Sequence, residues 1–376
     1  MTPIPLLLSA GEASGDMYAA RLARALRQRL DVELFGMGGD AMRAAGVEVV
    51  TDYHEVSVVG ITEILSHLPS LVRAMRKLVS AAKQRRPRLA ILTDFPGFHL
   101  RLARKVLPLG TRNVYYICPQ FWAWRPWRAN LVRRRFLQAL CIFPFEEQFF
   151  RERGVQAKFI GHPLVGTVKR SLSRAEFATK YGLAAENPIV TLLPGSRWAE
   201  IERHFLVMIE ACRELRRTTP RHYNFVLAVA PGIDGARLRA LLPAGEAPVI
   251  VQGETYNALA AADAALVCSG TATVEAALLD TPMAVVYRVT PITALLAKPL
   301  VRTKFFGMVN LIAGRGVVPE LIQENFTAAK AAAELQRLLD PDVTAEVRRG
   351  LVEVRERLGP PGAVDRAVDA IAELLR

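Results

Sequence analysis

The chain has 376 residues, enough for two domains, and its 51% hydrophobic and 23% charged residues exclude a disordered or low-complexity protein. Its four cysteines are too few and too scattered for a disulfide framework or a paired-cysteine zinc site, which indicates a reducing, cytoplasmic compartment. The net charge of +13 lies mostly in the first half, where residues 1–165 hold 24 basic and 13 acidic side chains, and this excess predicts a negatively charged partner, either nucleic acid or an anionic membrane surface.

Short apolar runs alternate with longer stretches of helical periodicity, which is typical of βαβ units and parallel sheets. The first half predicts strands at residues 4–9, 32–36, 89–93, 113–118 and 139–143. After an irregular stretch that extends to Pro188, a second sheet is predicted from strands at residues 189–193, 225–229, 249–251, 264–268 and 283–287. No apolar run approaches the ~18–20 residues of a spanning helix, so we expect neither an exported nor a membrane-spanning protein.

The predicted fold class is therefore α/β, with two domains that each contain a parallel sheet. Two short helices follow the second sheet, at about residues 345–358 and 363–375, and we expect them to pack back on the first domain. The predicted boundaries are residues 1–165 together with about 352–376 for the first domain, and residues 166–351 for the second.

Acidic residues follow two strands of the first domain, at the sheet edge where parallel sheets bind ligands. Glu12 and Asp16 lie in a turn of small residues after the first strand, although Asp16 could instead cap the next helix. Asp94 follows the strand at 89–93, where a carboxylate near a substrate hydroxyl could act as a general base or could cap a helix. We interpret His99 as a turn or packing residue.

Two strand–helix junctions of the second domain carry residues suited to phosphate. Gly195 and Ser196 offer backbone and hydroxyl donors, and the guanidinium of Arg197 can bind two phosphate oxygens. At the second junction, small residues would bring free N–H groups close to a phosphate, and Glu275 could accept hydrogen bonds from a ribose. These small residues are Ser269, Gly270, Thr271, Ala272 and Thr273. An ordinary capped helix remains the alternative at each junction.

Two further stretches of the first domain suit a membrane or a nucleic acid. Residues 121–135 contain three of the four tryptophans interleaved with arginines, which favours base stacking, the headgroup level of a membrane, or a partly buried aromatic cluster. Residues 56–72 are largely apolar and basic residues follow them, which is typical either of an interfacial or acyl-binding helix or of a core helix.

The sequence lacks the common motifs for metal binding, for nucleoside-triphosphate binding and for a serine nucleophile. The only Asp-x-Asp string, Asp340–Asp342, lies in a helical region and not after a strand, so we expect no catalytic metal and no cofactor. The chain also contains no Walker A motif, no Gly-x-Ser-x-Gly elbow and no HExxH.

Nine strings of this sequence, in order, resemble the motifs of the lipid-A-disaccharide synthase family. They are SAGEASGD at 9–16, FGMGG at 35–39, VGITE at 59–63, Asp94 with Pro96 and Phe98, CPQFWAW at 118–124, GHPL at 161–164, LPGSR at 193–197, SGTAT at 269–273 with Glu275, and NLIA at 310–313. Because they run in family order from residue 9 to residue 313, the resemblance is far more specific than any one string.

The resemblance implies a GT-B fold, in which two Rossmann-like domains face a central cleft and the C-terminal helices cross back to the first domain. It also implies an inverting, metal-independent transfer of diacylglucosamine from UDP-2,3-diacylglucosamine to the 6-hydroxyl of 2,3-diacylglucosamine 1-phosphate (lipid X), giving a β-1,6 disaccharide 1-phosphate and UDP. Asp94 would be the base, with Glu12 and Asp16 as further candidate carboxylates, and the second domain, including Asn310, would bind UDP. His99 stands where the family pattern leads us to expect Asn, and Phe121 where we expect a smaller aliphatic residue, so the acyl preference stays open.

Charge, the lack of predicted spans and the resemblance together predict a cytoplasmic protein on the inner-membrane surface, held through residues 56–72 and 122–135, with no nucleic acid partner. Another UDP-N-acetylglucosamine transferase of the same fold and a UDP-sugar 2-epimerase are the alternatives, but their motifs are not found here. A nucleic-acid-binding protein is the alternative of another class, and its binding would weaken steeply with salt.

Overall fold

The computed structural model describes residues 3–56, 64–230, 232–242, 247–291, 293–294 and 303–376. The chain forms two compact units, one comprising Met1–Val165 with Leu358–Arg376 and the other Gly166–Arg357. Part of the apolar stretch at 56–72, including the VGITE string, lies outside the described residues. No helix within the described ranges combines the length and the apolar character needed to cross a membrane.

The first unit contains a seven-stranded sheet in the order β3-β2-β1-β4-β5-β6-β7, and all its pairings are parallel. Its strands are β1 (Ile4–Ala10), β2 (Val32–Gly38), β3 (Glu48–Asp52), β4 (Leu89–Thr93), β5 (Arg112–Tyr116), β6 (Gln138–Cys141) and β7 (Ala157–Phe159). The strand order reverses between β1 and β4, and such a switch point is where open α/β sheets bind ligands. The sequence analysis missed β3 and β7, which are the two edge strands.

Helices cover both faces of this sheet and bury its apolar central strands. They are α1 (Ala13–Arg29), α2 (Asp40–Ala44), α3 (Ile64–Arg85), α4 (Pro96–Val106), α5 (Phe121–Trp124), α6 (Ala129–Arg135) and α7 (Pro144–Arg151). Every residue of β4 is buried, which explains its unbroken apolar sequence. Short 3₁₀ turns occupy Tyr53–Glu55, Leu107–Leu109 and Pro126–Arg128.

The second unit contains a six-stranded parallel sheet in the order β10-β9-β8-β11-β12-β13. Its strands are β8 (Ile189–Leu193), β9 (Asn224–Val229), β10 (Val249–Gln252), β11 (Ala264–Cys268), β12 (Met283–Tyr287) and β13 (Glu320–Ile322). The order reverses between β8 and β11, so this sheet has its own switch point at the two junctions that were predicted to bind phosphate. The five predicted strands are confirmed, and the edge strand β13 was missed.

The helices of the second unit include one that the sequence analysis left irregular. They are α8 (Arg174–Tyr181), α9 (Trp198–Thr218), α10 (Gly235–Ala240), α11 (Thr255–Ala261), α12 (Thr271–Leu278), α13 (Met308–Ala313), α14 (Ala328–Leu338) and α15 (Pro341–Arg357). The expectation of no helix before Pro188 was wrong for α8, which starts at a reciprocal cap: Ser173 Oγ accepts from the Glu176 amide, and Glu176 Oε2 accepts from the Ser173 amide at 2.7 Å.

The final helix, α16 (Ala363–Leu375), belongs to the first unit and packs against α1. Arg366 Nε donates to the carbonyl of Ile160 at 2.8 Å, and Arg112 Nη2 donates to the carbonyl of Leu374 at 2.5 Å. The other predicted C-terminal helix, α15, stays with the second unit and packs against α12 and α13. The expected return of the chain to the first unit is therefore made by α16 alone.

Candidate active site

The switch point of the first unit brings Glu12 and Asp94 to the same edge of the sheet. Ala10 and Thr93, the last residues of β1 and β4, are paired in the ladder, so the two acidic residues leave neighbouring strands. The ring of Phe95 packs directly on Gly11, where a Cβ would lie 2.2 Å from the Phe95 Cδ1 atom. Gly11 is therefore needed for the close approach of the two loops that carry these carboxylates.

The backbone around Asp94 is held in an unfavourable conformation. Asp94 and Phe95 both have left-handed φ angles, +47° and +45°, and Ile117 at the end of the neighbouring strand has φ +57°. Such angles cost non-glycine residues about 1–3 kcal/mol each and concentrate at functional sites. The Asp94 amide donates to the carbonyl of Ile117 at 3.3 Å, which joins the two strained loops.

Two buried side chains hold the Asp94 carbonyl in this position. Tyr115 Oη donates to it at 3.0 Å and His99 Nδ1 donates to it at 2.8 Å. Because Nδ1 is the donor, His99 Nε2 is free to accept from Ser9 Oγ, which lies 2.8 Å away. Burial lowers the pKa of His99 to about 4, so the imidazole is neutral near pH 7. His99, interpreted from sequence as a turn or packing residue, is thus a hydrogen-bonded link between β1 and the Asp94 loop.

Asp16, one of the three predicted catalytic carboxylates, is buried and fully occupied by backbone amides. Its Oδ1 accepts from the Gly39 amide at 2.7 Å and the Met42 amide at 3.3 Å, and its Oδ2 accepts from the Ala41 amide at 3.0 Å. The side chain therefore caps α2 from a distant part of the sequence. This capping role explains why an aspartate stands at position 16 without any part in proton transfer. Glu12 and Asp94, by contrast, are only partly buried, so a substrate can reach their carboxylates.

Glu146 is a buried carboxyl group near Asp94 that the sequence analysis did not select. Its Oε1 accepts from Trp122 Nε1 at 3.2 Å, and its Oε2 accepts from the amides of Ile142 and Phe143 at 3.3 Å each. Burial, and to a lesser degree the charge of Asp94, raise the pKa of Glu146 to about 8. Its position three residues after Phe143, at the start of α7, is the only sequence signal that could have identified it.

The two predicted membrane-facing stretches are partly exposed. On α3, Leu68 and Val72 are 52% and 41% exposed and line a shallow pocket of about 540 Å³ with Pro69, Arg73 and Arg76. Farther along the same helix Ala74 and Leu78 are buried, so α3 has one face in the core and another face exposed. In the aromatic stretch Trp127 is 59% exposed, whereas Phe121 is buried.

The loop Gly195–Arg197 follows β8 and leads into α9. Gly195 has φ +134°, and a Cβ there would lie 2.7 Å from the side chain of Glu200. The carboxylate of Glu200 accepts from the Ser196 amide at 3.1 Å and from Arg197 Nη1 at 3.4 Å. Arg197 is about half exposed, so its guanidinium faces solvent at the N-terminal end of a 21-residue helix. This end combines a cation, backbone amides and the positive pole of a helix.

His204 fixes this loop to the neighbouring part of the sheet. Its Nδ1 donates to the carbonyl of Pro194 at 2.8 Å, and its Nε2 accepts from the Arg288 amide at 2.9 Å. The histidine is fully buried, and burial lowers its pKa. The sequence analysis missed His204 because its partners lie 10 and 84 residues away.

The second phosphate candidate, residues 269–273, follows β11 at the other side of the same switch point. Gly270 has φ +147°, and a Cβ there would meet nothing within 4 Å, so the N-terminus of α12 is open. Ser269 Oγ donates to the carbonyl of Phe306 at 2.9 Å, and Thr273 Oγ1 donates to the carbonyl of Gly270 at 2.8 Å. Thr271 is exposed and Ala272 is half-buried beside it.

Glu275 and Asn310, the last two predicted nucleotide-binding residues, differ in accessibility. Glu275 is partly buried and its Oε1 accepts from Tyr256 Oη at 3.1 Å. Asn310 is buried and satisfied: its Nδ2 donates to Val318 O and Glu320 Oε1, both at 2.8 Å, and its Oδ1 accepts from the amides of residues 317 and 318 at 2.7 and 3.0 Å. The side chain of Asn310 therefore staples α13 to the loop before β13, and it is not presented to a nucleotide as the sequence analysis expected.

Each switch point thus has its own chemistry. The first unit offers partly buried carboxylates suited to proton transfer, and the second offers a cation and open helix ends suited to a diphosphate. Among the residues that the structure describes, no three His, Cys, Asp or Glu side chains are grouped in a way that could hold a metal ion.

A family model described as lipid-A-disaccharide synthetase matches residues 6–359 of the chain. The chain is 46% identical over 374 residues to the lipid-A-disaccharide synthase of Solibacter usitatus (strain Ellin6076), with 98% of this chain and 97% of that protein covered. It is 43% identical over 376 residues to the lipid-A-disaccharide synthase of Myxococcus xanthus (strain DK1622), with 99% and 98% covered.

Solved structures with the same fold are more distant in sequence. A putative UDP-N-acetylglucosamine 2-epimerase from Listeria monocytogenes has a TM-score of 0.69 at 14% identity, with 100% of this chain and 97% of that chain covered. The calicheamicin glycosyltransferase CalG4 has a TM-score of 0.59 at 18% identity, with 100% and 99% covered. At these identities the likeness concerns the fold alone.

Proposed function

The chain belongs to the lipid-A-disaccharide synthase family and is a glycosyltransferase of the GT-B fold type, and we propose that it uses Asp94 and Arg197 to transfer diacylglucosamine from UDP-2,3-diacylglucosamine to 2,3-diacylglucosamine 1-phosphate. Identity of 46% across almost the whole chain carries the assignment to the family, and the geometry around Asp94 and Arg197 supports the proposed roles of these two residues. Family membership gives no support to the nucleic-acid alternative. The solved epimerase and glycosyltransferase structures share the fold at low sequence identity only, so they do not favour the epimerase or the other transferase alternative.

Asp94 is the general base of this proposal. The carboxylate takes the proton of the acceptor 6-hydroxyl while that oxygen attacks the anomeric carbon of the donor, and the bond from that carbon to UDP breaks on the opposite face. This single displacement inverts the configuration and gives a β-1,6 linkage. The strained loop, fixed by Tyr115 and His99, supports this role because a base must be held in one orientation to contribute the typical 10²–10⁴-fold acceleration.

The second unit binds UDP and stabilises the charge that develops on its departing phosphate. Arg197 supplies a guanidinium that can contact two oxygens, and the N-termini of α9 and α12 supply amides and positive dipole ends. Glu275 accepts hydrogen bonds from the ribose. Because these groups provide the positive charge, we propose that the reaction proceeds without a metal ion or another cofactor.

Replacing Asp94 by Asn tests the role of the base. Disaccharide formation, followed by mass spectrometry with EDTA present, should fall by roughly 10²–10⁴-fold in kcat, because the amide cannot accept the proton. UDP affinity, measured by calorimetry, should stay unchanged because UDP binds to the other unit. Asp40→Asn is a matched control, since that carboxylate is exposed on α2 and serves as an ion-pair partner of Arg43. Equal loss of turnover and UDP affinity in Asp94→Asn would contradict the proposal, as would loss of wild-type turnover under chelation.

The proposal also includes contact between the first unit and the cytoplasmic surface of the inner membrane. Leu68 and Val72 are exposed on α3 beside Arg73 and Arg76, so apolar side chains can enter the headgroup region while the cations contact anionic lipid. Trp127 suits the same interface.

Vesicle sedimentation tests this membrane contact. The double variant Leu68→Ser, Val72→Ser should bind phosphatidylglycerol vesicles several-fold more weakly than the wild type, because it removes exposed apolar area. Leu206→Ser and Leu241→Ser, made together, remove two exposed leucines of the second unit and are the control. Equal weakening by both pairs would contradict a specific contact through α3.

A further inference from the structure

A second pocket of the first unit is lined by five cations and lies beside Asp94. Its volume is about 320 Å³, and it runs along one face of α4 from Pro96 and Gly97 and is closed on the other side by residues 127–135. Its basic lining residues are Arg101, Arg104, Lys105, Arg128 and Arg135, and its apolar ones include Leu100, Trp127 and Leu131. Part of the excess positive charge of the first half of the chain therefore lines one concave site.

The positive charge of this pocket is not compensated within the described part of the chain. None of the five cations forms an ion pair there; Arg101 and Arg135 donate only to the carbonyls of Gly97 and Leu100, both at 2.8 Å. Burial and the charges of Arg125 and Arg101 lower the pKa of Arg128, and burial and the charges of Arg104 and Arg134 lower the pKa of Arg135. The cations of α4 therefore repel Arg128 and Arg135 across the pocket, and an anion between them would relieve this repulsion.

We propose that this pocket binds the phosphate monoester of the acceptor lipid. The inference rests on the proposed function, because it places the acceptor hydroxyl at Asp94, two residues before the first residue of the pocket. The phosphate is attached to C1, which the ring oxygen joins to C5, the carbon that carries the 6-hydroxymethyl group, so the phosphate lies within one sugar ring of the base. The helix α4 begins two residues after Asp94 and carries three of the five cations, Arg101, Arg104 and Lys105. A monoester carries a charge of about −1.5 to −2 near pH 7, and arginine binds its oxygens in pairs.

The test compares two acceptors with the full-length protein in detergent micelles: 2,3-diacylglucosamine 1-phosphate and the same lipid without its phosphate. The wild type should prefer the phosphorylated acceptor by roughly 100-fold in kcat/KM, since two charge-assisted contacts are each worth about tenfold. The variant Arg101→Gln, Arg128→Gln should lose at least tenfold of this preference while keeping its kcat/KM for the unphosphorylated acceptor. Arg104→Gln, Lys105→Gln is a second pocket pair in case the first does not fold.

Arg133→Gln, Arg134→Gln is the matched control, because it removes the same charge from exposed positions of α6 outside the pocket. It should keep the wild-type preference. An unchanged preference in both pocket pairs, or an equal loss on both acceptors, would overturn the proposal.

Two further measurements distinguish the phosphate of the acceptor lipid from the phosphate of membrane phospholipids. If the pocket pair loses binding to phosphatidylglycerol vesicles more than the control pair but keeps the acceptor preference, the pocket serves membrane phospholipid and the proposal is wrong. If the wild type forms no disaccharide from either acceptor, the proposed function fails. Calorimetry with glucosamine 1-phosphate then tests separately whether the pocket binds a phosphate monoester. Binding by the wild type and the control pair, but not by the pocket pair, supports the pocket, and equal binding by all three refutes it.

Discussion

Replacing His99 by Asn tests the link that holds the Asp94 loop. The shorter side chain cannot bridge Ser9 Oγ and the Asp94 carbonyl, which His99 contacts at 2.8 Å each, and Ser9 is fully buried. At about 1 kcal/mol for each net hydrogen bond, the variant should lose about 2 kcal/mol in free energy of unfolding at pH 7.

The stability lost on replacing His99 should depend on pH in a direction that the pKa of His99 fixes. Burial lowers the pKa of His99 in the folded protein to about 4 from 6.5, so below pH 6.5 the unfolded chain binds a proton that the folded chain resists. The wild type should therefore lose about 2 kcal/mol through His99 between pH 7 and pH 5, a loss that Asn cannot show. The two proteins should differ clearly in stability at pH 7 and little at pH 5.

Urea unfolding at pH 7, 6 and 5 measures this difference. The Trp198→Phe background restricts the fluorescence signal to the tryptophans of the first unit, which contains His99. His222→Asn, an exposed substitution in the second unit, is the control and should keep the full wild-type loss because His99 is intact. A gap between the wild type and His99→Asn that is the same at pH 7 and pH 5 would refute the reasoning.

Three other substitutions have definite expected outcomes. Arg197→Gln should weaken UDP binding by roughly tenfold to a hundredfold in calorimetry, because a charge-assisted contact is lost, and unchanged affinity would remove Arg197 from the site. Gly11→Ala should lower the melting temperature by several degrees because its Cβ would lie 2.2 Å from the Phe95 ring, whereas Gly97→Ala, with nothing within 4 Å, should not; equal effects would contradict the packing argument. Asp16→Asn should cost ~1–2 kcal/mol in free energy of unfolding but leave kcat of the folded protein unchanged, and a large loss of kcat would restore a catalytic role.

The central strands and the edge strand β10 could be predicted from sequence, whereas the other three edge strands could not. A strand such as β4 is covered on both faces, so its sequence is an unbroken apolar run. The edge strands β3, β7 and β13 are three to five residues long and include Glu48, Lys158 and Glu320, so they lack that signal. The helix α8 differs from these strands, because the Ser173 and Glu176 pair at its start is a sequence signal for a helix N-terminus.

The site was predictable in position but not in the use of each side chain. Residues that follow parallel strands lie at the ligand-binding edge of the sheet, so the sequence alone points to Asp94 and Arg197. Whether a polar side chain is available depends on distant partners. Asp16 is occupied by amides 23 to 26 residues away, and His99 is defined by Ser9, 90 residues away. Such pairings are set by the tertiary fold and leave no local pattern.

The position of α16 at the end of the chain affects the order in which the two units can fold during synthesis on the ribosome. Synthesis delivers residues 1–165 first, yet α1 lacks its partner helix until residues 363–375 emerge. The second unit, which is continuous in sequence, can fold completely before that moment. The first unit therefore starts to fold first and is completed last. A fragment that ends at residue 165 would leave an apolar surface of α1 uncovered, and it should aggregate more readily than the isolated second unit.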